Sequence, residues 1–270
     1  MIRPLEQLKQ LKLNTYPVEE IRRCIREIPF HGFPVAEFFK GKIIERGVEN
    51  ALKEPVFNTV NRISINPNPS DKYGRASTPF NSMFYGIVYP GCFSDEILKY
   101  PRVGCAFEIV DFLRETNNGK TIVTFSRWKT LEQLNVVAII DPFIIYKNVF
   151  MSEIQRFMIS NFEFTIDQLE VIRFFTREFS KFVPSYKNYE YLISALFTEY
   201  PILEKGYDGV LYPSVQSSNL GIDFLCVALS KKGAKKLIPI EVLQSGISKI
   251  NKEIDIVNIF RKPETIPPIV

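Results

Sequence analysis

The sequence predicts an α+β fold: a mixed β core with surrounding helices and a helical N-terminal extension. Two observations carry this prediction. Segments of period-two and helical character alternate irregularly, and several strand-like stretches follow one another directly, which disfavours a regular βαβ winding. The absence of any repeat of 20–50 residues excludes a solenoid or propeller. With 270 residues, the chain has room for one large domain or two small ones.

Leu5, Leu8 and Leu11 recur at spacing three, and Val18, Ile21, Ile25 and Ile28 follow at helical spacing. Residues 1–55 therefore read as a helical N-terminal extension, with residues 45–53 continuing the helical character and Pro55 ending it. Val60-Asn61-Arg62-Ile63-Ser64-Ile65 alternates as a half-buried strand does, and Asn66-Pro67-Asn68-Pro69-Ser70-Asp71 is a loop by composition. Residues 83–89 form the next expected strand. Residues 101–115 read as a helix, with Val103, Phe107, Val110 and Leu113 on one side. Residues 120–126 and 135–140 read as strands, 154–182 as a phenylalanine-rich helical stretch, and 189–199 as another helix. Gly206-Tyr207-Asp208-Gly209 is a turn into the strand 210–212, and 223–229 and 237–243 close as strands. The divisions expected are an extension over 1–55, a main domain over 56–245, and a tail over 246–270 packed on that domain.

Composition removes several function classes. Lys+Arg number 34 and Asp+Glu 30, so the net charge is only +4, and direct nucleic-acid binding has little support. The longest apolar runs fall far short of the roughly 20 residues that span a bilayer. The first 15 residues carry Arg3, Glu6, Lys9 and Lys12 with no apolar h-region, which predicts a cytoplasmic protein without a membrane partner. Cys24, Cys92, Cys105 and Cys226 form no CxxC pair, so they read as reduced, packed thiols and not as zinc ligands. The single histidine, His31, lies in a turn-like Phe-His-Gly-Phe-Pro stretch, and one histidine cannot build a two-histidine metal site. No metal or cofactor is expected. GxxxxGK[ST] and GxGxxG are both absent, which leaves a P-loop nucleotidase or a Rossmann dehydrogenase without support.

Three short patches carry chemistry. In Tyr73-Gly74-Arg75-Ala76-Ser77-Thr78, an arginine beside small hydroxyls can grip a phosphate in bidentate fashion. Tyr212-Pro213-Ser214 sets a hydroxyl at a strand's end with Asn219 shortly after; read blandly, it is an ordinary ST-turn. In Cys105-Ala106-Phe107-Glu108 a carboxylate interrupts an apolar helix, and Arg75 or Arg62 could pair with it in a plain ion pair. The lysine tract 230–236 has no interleaved aromatics and reads as a solvated turn.

In order, Arg62, Gly74-Arg75, Tyr85, Ala106-x-Glu108, Asp208-Gly209-x-x-Tyr212-Pro213-Ser214 and Asn219 resemble the RES domain family, over residues 56–243. The family is named for an Arg, a Glu and a Ser. The resemblance implies an ADP-ribosyltransferase-like topology and an NAD-consuming toxin of a bacterial toxin–antitoxin pair. Such proteins release nicotinamide as NAD phosphorylases or glycohydrolases, or act as protein ADP-ribosyltransferases. NAD is then the substrate, with inorganic phosphate as a co-substrate of the phosphorylase form. A protein antitoxin and a homo-oligomer are the partners implied. Glu108 would stabilise an oxocarbenium-like ribose, Arg62 and Arg75 would bind phosphate oxygens, Tyr85 would stack on the nicotinamide, and Ser214 and Asn219 would hold ribose or phosphate. The gap from Tyr85 to the glutamate is 23 residues, longer than the resemblance implies. Glu96 within the insertion competes with Glu108, which is preferred because Ala106 precedes it. The rival to an enzyme is a binding module using the lysine tract on nucleic acid.

Composition generates the first prediction: chelators leave NAD turnover unchanged. Activity that disappears in EDTA and returns with magnesium would refute a metal-free mechanism, because carboxylates and phosphate oxygens alone can hold that ion.

Overall fold

A computed structural model describes residues 3–29, 33–50, 60–89, 100–218 and 221–262. His31, Cys92, Glu96 and Asn219 lie outside these residues. Two helices, α1 (Arg3–Gln10) and α2 (Val18–Glu27), open the chain and are followed by strands β1 (Val35–Phe38) and β2 (Ile43–Glu49). The helical extension therefore ends at Glu27 and does not run to residue 55. In the 45–53 segment, Glu45 and Glu49 at spacing four mimic a helical face. The β-branched residues Ile43, Ile44 and Val48 instead fit a pleated sheet.

Next come the one-turn helix α3 (Val60–Ile63), strand β3 (Phe84–Val88), and helices α4 (Pro101–Ile109) and α5 (Asp111–Arg114). The expected strand at 60–65 is thus a helical turn. Six alternating residues do not exclude a turn, and the Arg46 guanidinium donates to the Ile63 carbonyl at its end. The expected helix at 101–115 is interrupted at Val110, whose φ and ψ of −102° and 106° are extended. Strands β4 (Gly119–Thr130) and β5 (Leu134–Ala138) precede α6 (Val149–Asn161) and α7 (Ile166–Ser180), so the phenylalanine-rich stretch is two helices. Thr165 and Gln168 form a capping box that starts α7. A 3₁₀ segment (Ser185–Tyr191) leads to α8 (Leu192–Glu199), then β6 (Gly209–Pro213), α9 (Val215–Ser218), β7 (Leu225–Leu229), α10 (Lys231–Ala234), β8 (Leu237–Ile250) and β9 (Glu253–Lys262). The tail expected from residue 246 onward is, as far as Lys262, a hairpin of the main sheet.

Among the described residues nine strands join one mixed sheet in the order β1-β5-β6-β7-β3-β2-β4-β8-β9. Only β5 and β6 are parallel; the other neighbours are antiparallel. Central strands β6 and β7 are buried at every residue, as strands covered on both faces must be. One face packs Val210, Tyr212, Ala228 and Phe125 under α1, α2, α4, α7 and α8; the other packs Phe84, Trp128, Leu211 and Val227 under α6. Helices α1 and α2 share the first core through Leu5, Leu8, Ile21 and Ile25, so they belong to the main body. Phe175 and Phe197 stack with ring centroids 4.0 Å apart, and Phe179 meets Tyr212 at 5.3 Å, fixing α7 and α8 on β6. Among the described residues no helix is long and apolar enough to cross a membrane.

Helix α4 packs closely on the sheet. A Cβ at Gly104 would lie 2.8 Å from the buried Phe224 ring. An ordinary helical Gly→Ala change gains up to about 1 kcal/mol. Here the sign reverses: Gly104→Ala is expected to lower the unfolding free energy by about 1–3 kcal/mol through overpacking, measured by urea denaturation.

Candidate active site

A cavity of about 820 Å³ opens between α4, the β2–β3 pair, the end of β6 and the segment after α7. That volume lies within the range of small-molecule and cofactor sites, roughly 300–1,000 Å³. Glu108 lies on the face of α4 one turn beyond Gly104. Its Oε1 accepts a hydrogen bond from Ser214 Oγ at 2.5 Å, between residues 106 apart in sequence. Ser214 is fully buried at the end of β6. Its N–H donates to the Phe224 carbonyl at 2.9 Å, and its Oγ accepts from the Ser217 N–H at 3.2 Å. Arg114 holds the C-terminal turn of α4 by donating to the Phe107 and Glu108 carbonyls. Glu108 thus sits between a fixed helix end and a fixed strand end. Among the described residues it forms no ion pair, so it is not the partner of Arg75 or Arg62.

Arg75 also lines the cavity, though not on an open loop. It occupies a tight turn closed by Gly74 N–H to the Ser77 carbonyl, 2.9 Å. Gly74 must lack a side chain there, because a Cβ would lie 2.6 Å from Ser77 Oγ. The Tyr85 hydroxyl pegs this turn: it donates to Ser77 Oγ at 3.0 Å and accepts from the Ala76 N–H at 3.2 Å. The Arg75 guanidinium donates to the carbonyls of Phe179 and Lys181 and lies 5.1 Å from the Tyr191 ring centroid. It therefore closes the exposed carbonyl end of α7. Tyr85 remains a wall of the cavity, and burial raises its hydroxyl above the usual tyrosine range.

Arg62 is displaced from the site. It lies on α3, with Nη2 3.5 Å from the Glu49 carbonyl, and does not line the cavity. The arginines that do, besides Arg75, are Arg114 and Arg46 on β2. Arg46 donates to the Ile63 carbonyl at 3.1 Å and the Tyr85 carbonyl at 2.8 Å, and its guanidinium lies 5.2 Å from the Phe84 ring centroid. Burial pushes it down to about 10, still charged at neutral pH. The helical reading of residues 45–53 hid it. The signal for it was Ile44, Arg46 and Val48 at period two. A second feature escaped the sequence reading: Phe182 and Tyr186 line the cavity while 61% and 76% exposed.

Burial also raises Tyr212, Cys105 and Cys226. The two thiols are therefore held protonated and are poor nucleophiles. Among the described residues no group of three or more His, Cys, Asp or Glu is gathered to hold a metal. The lysine tract forms α10, capped by Ser230. Lys232 donates to the Gly206 carbonyl, and Lys236 pairs with buried Asp208 at 2.8 Å, so half of its four lysines serve the fold. No family model matches the chain, and no curated protein matches it.

The dual placement of Arg75, at the cavity wall and at the end of α7, predicts a stability effect. Arg75→Lys cannot span both carbonyls with a planar fork. It is expected to lower the unfolding free energy by about 1–3 kcal/mol in denaturant titration, the scale of a lost charged hydrogen bond.

Proposed function

We propose that this cavity cleaves the nicotinamide–ribose bond of NAD, as the resemblance to RES domain toxins implies, with an ADP-ribosyltransferase-like fold around it. The observation that carries the reading is the Glu108–Ser214 hydrogen bond inside a cavity walled by Arg75, Arg46 and Tyr85. Four of the family-like residues, distant in sequence, line or border one cavity, and Arg46 lines it where Arg62 does not.

The chemistry follows from charge. Breaking the C1′–N bond sends its electron pair to the departing ring, which leaves as neutral nicotinamide, while positive charge grows on the ribose. A carboxylate held beside C1′ stabilises that charge without moving. Ser214 fixes Oε1 of Glu108, and among the described residues Oε2 accepts no hydrogen bond and remains available for the ribose. Among the described residues Arg46 and Arg75 have carbonyl oxygens and no carboxylate as direct partners, so their charge suits pyrophosphate or inorganic phosphate. The acceptor at C1′ is phosphate or water, giving a phosphorylase or a glycohydrolase. A protein acceptor would make the chain an ADP-ribosyltransferase. A role as a cytoplasmic toxin restrained by a protein antitoxin belongs to the same reading. The nucleic-acid module is less favoured because Lys232 and Lys236 are engaged within the fold.

Incubation with NAD, with and without phosphate, followed by mass identification of the products, tests the reading directly. A glycohydrolase is expected to release nicotinamide and ADP-ribose in both arms; a phosphorylase is expected to release nicotinamide, with a phosphorylated ADP-ribose, only in the phosphate arm. Label transferred from NAD to protein would instead mark the transferase. Glu108→Gln is expected to lose at least about 10²-fold in turnover while remaining folded. Arg46→Lys and Arg75→Lys should each lose about tenfold or more, ~1.4 kcal/mol at the transition state. Full turnover in Glu108→Gln, with loss in Glu96→Gln, would move the catalytic carboxylate into the insertion.

A further inference from the structure

The sheet ends differently at its two sides. At one edge β1 is only four residues long, the short edge by which sheets avoid unwanted pairing. At the other, β9 runs for ten residues, Glu253–Lys262, and pairs only with β8 among the described residues. It contains no proline, and its single irregularity is a register shift opposite Gln244 and Ser245. Val257 and Ile259 are 63% and 57% exposed, and Ile254 is 39% exposed. In register, Val257 stands opposite Gly246, and Gly246 opposite Ile122, itself 40% exposed. An apolar row thus crosses three strands to the free edge. A long, apolar edge that no other described strand pairs is a template for another strand.

The charge along β9 identifies that strand. Its first three residues include Glu253 and Asp255, and its last two are Arg261 and Lys262. Two copies laid antiparallel about a dyad near Val257 and Asn258 set the acidic half of each beside the basic half of the other, twice. Parallel copies would set like charge against like. A two-fold interface is self-complementary by symmetry, as this charge order requires.

We propose that β9 pairs antiparallel with β9 of a second copy of this chain, joining two nine-stranded sheets into one continuous sheet. The proposal is independent of what the cavity binds.

Sedimentation velocity of the full chain tests it, using two charge variants. Glu253→Lys with Asp255→Lys makes the strand wholly basic, and Arg261→Glu with Lys262→Glu makes it wholly acidic. The unaltered chain is expected to dimerise with a dissociation constant on the order of micromolar, the range of a small interface. Each variant alone is expected to weaken dimerisation by about tenfold or more, and their equimolar mixture to restore it. Val257→Lys, which leaves the charge order intact, should weaken it too. All these positions belong to the edge strand β9, and circular dichroism melts confirm that the variants fold. A chain that stays monomeric throughout, including one that instead takes up a strand from another protein, would overturn the proposal. So would a dimer indifferent to all three variants, or a mixture no more dimeric than its components.

Discussion

The candidate site depends on how closely α4 can approach the sheet. Gly104 lies against the Phe224 ring, and Gly47 on β2 lies against Cys105 and Ile109; a Cβ at Gly47 would come within 2.9 Å of the Ile109 side chain. These two missing side chains set the height of the helix. Phe224 contributes twice, because its ring receives Gly104 while its carbonyl holds the Ser214 N–H. The same residue therefore fixes the level of Glu108, four positions beyond Gly104 on the same helix face, and the position of the serine it meets.

Around that contact the cavity is lined by three arginines, Arg46, Arg75 and Arg114, and four carboxylates, Glu49, Glu108, Asp111 and Glu115. Arg46 and Arg75 are tied to carbonyl oxygens, which orient a guanidinium without neutralising it. Carbonyl partners are weaker than a carboxylate would be, so part of the desolvation cost of each cation stays unrelieved in the free protein. Binding of an anion relieves it. Burial keeps Tyr212, Cys105 and Cys226 neutral, so they add no competing negative charge beside Glu108. Arginine closure of two helix ends, Arg46 on α3 and Arg75 on α7, makes the cations part of the scaffold.

The α+β class and most strands were legible because β3, β4, β5, β6 and β7 carry dense β-branched and aromatic runs bounded by turn residues. Glu108 and Ser214 stood out because each is a polar group set against an apolar segment, a local signal. Arg46 was illegible for the complementary reason. Its neighbours Glu45 and Glu49 give β2 a helical charge spacing, yet Glu45 is buried against Arg102 and Arg127, so its charge serves a tertiary contact. Arg62 was misplaced by a six-residue alternation that a single helical turn also satisfies. The peg formed by Tyr85 and the closure of α7 by Arg75 join segments far apart in the chain, and no local pattern encodes such contacts.

Strand β3 lies in the sheet between β2, which precedes it in the chain, and β7, which follows it by well over a hundred residues. During synthesis β3, with Tyr85 and the turn of Arg75 above it, waits as an open edge until β7 has left the ribosome. Strand β6, which ends just before Ser214, waits for the same partner over a much shorter stretch of chain. At about 5–20 residues per second the wait of β3 lasts several seconds at least. The cavity closes late, and a nascent chain carries the pieces of its site without the site itself.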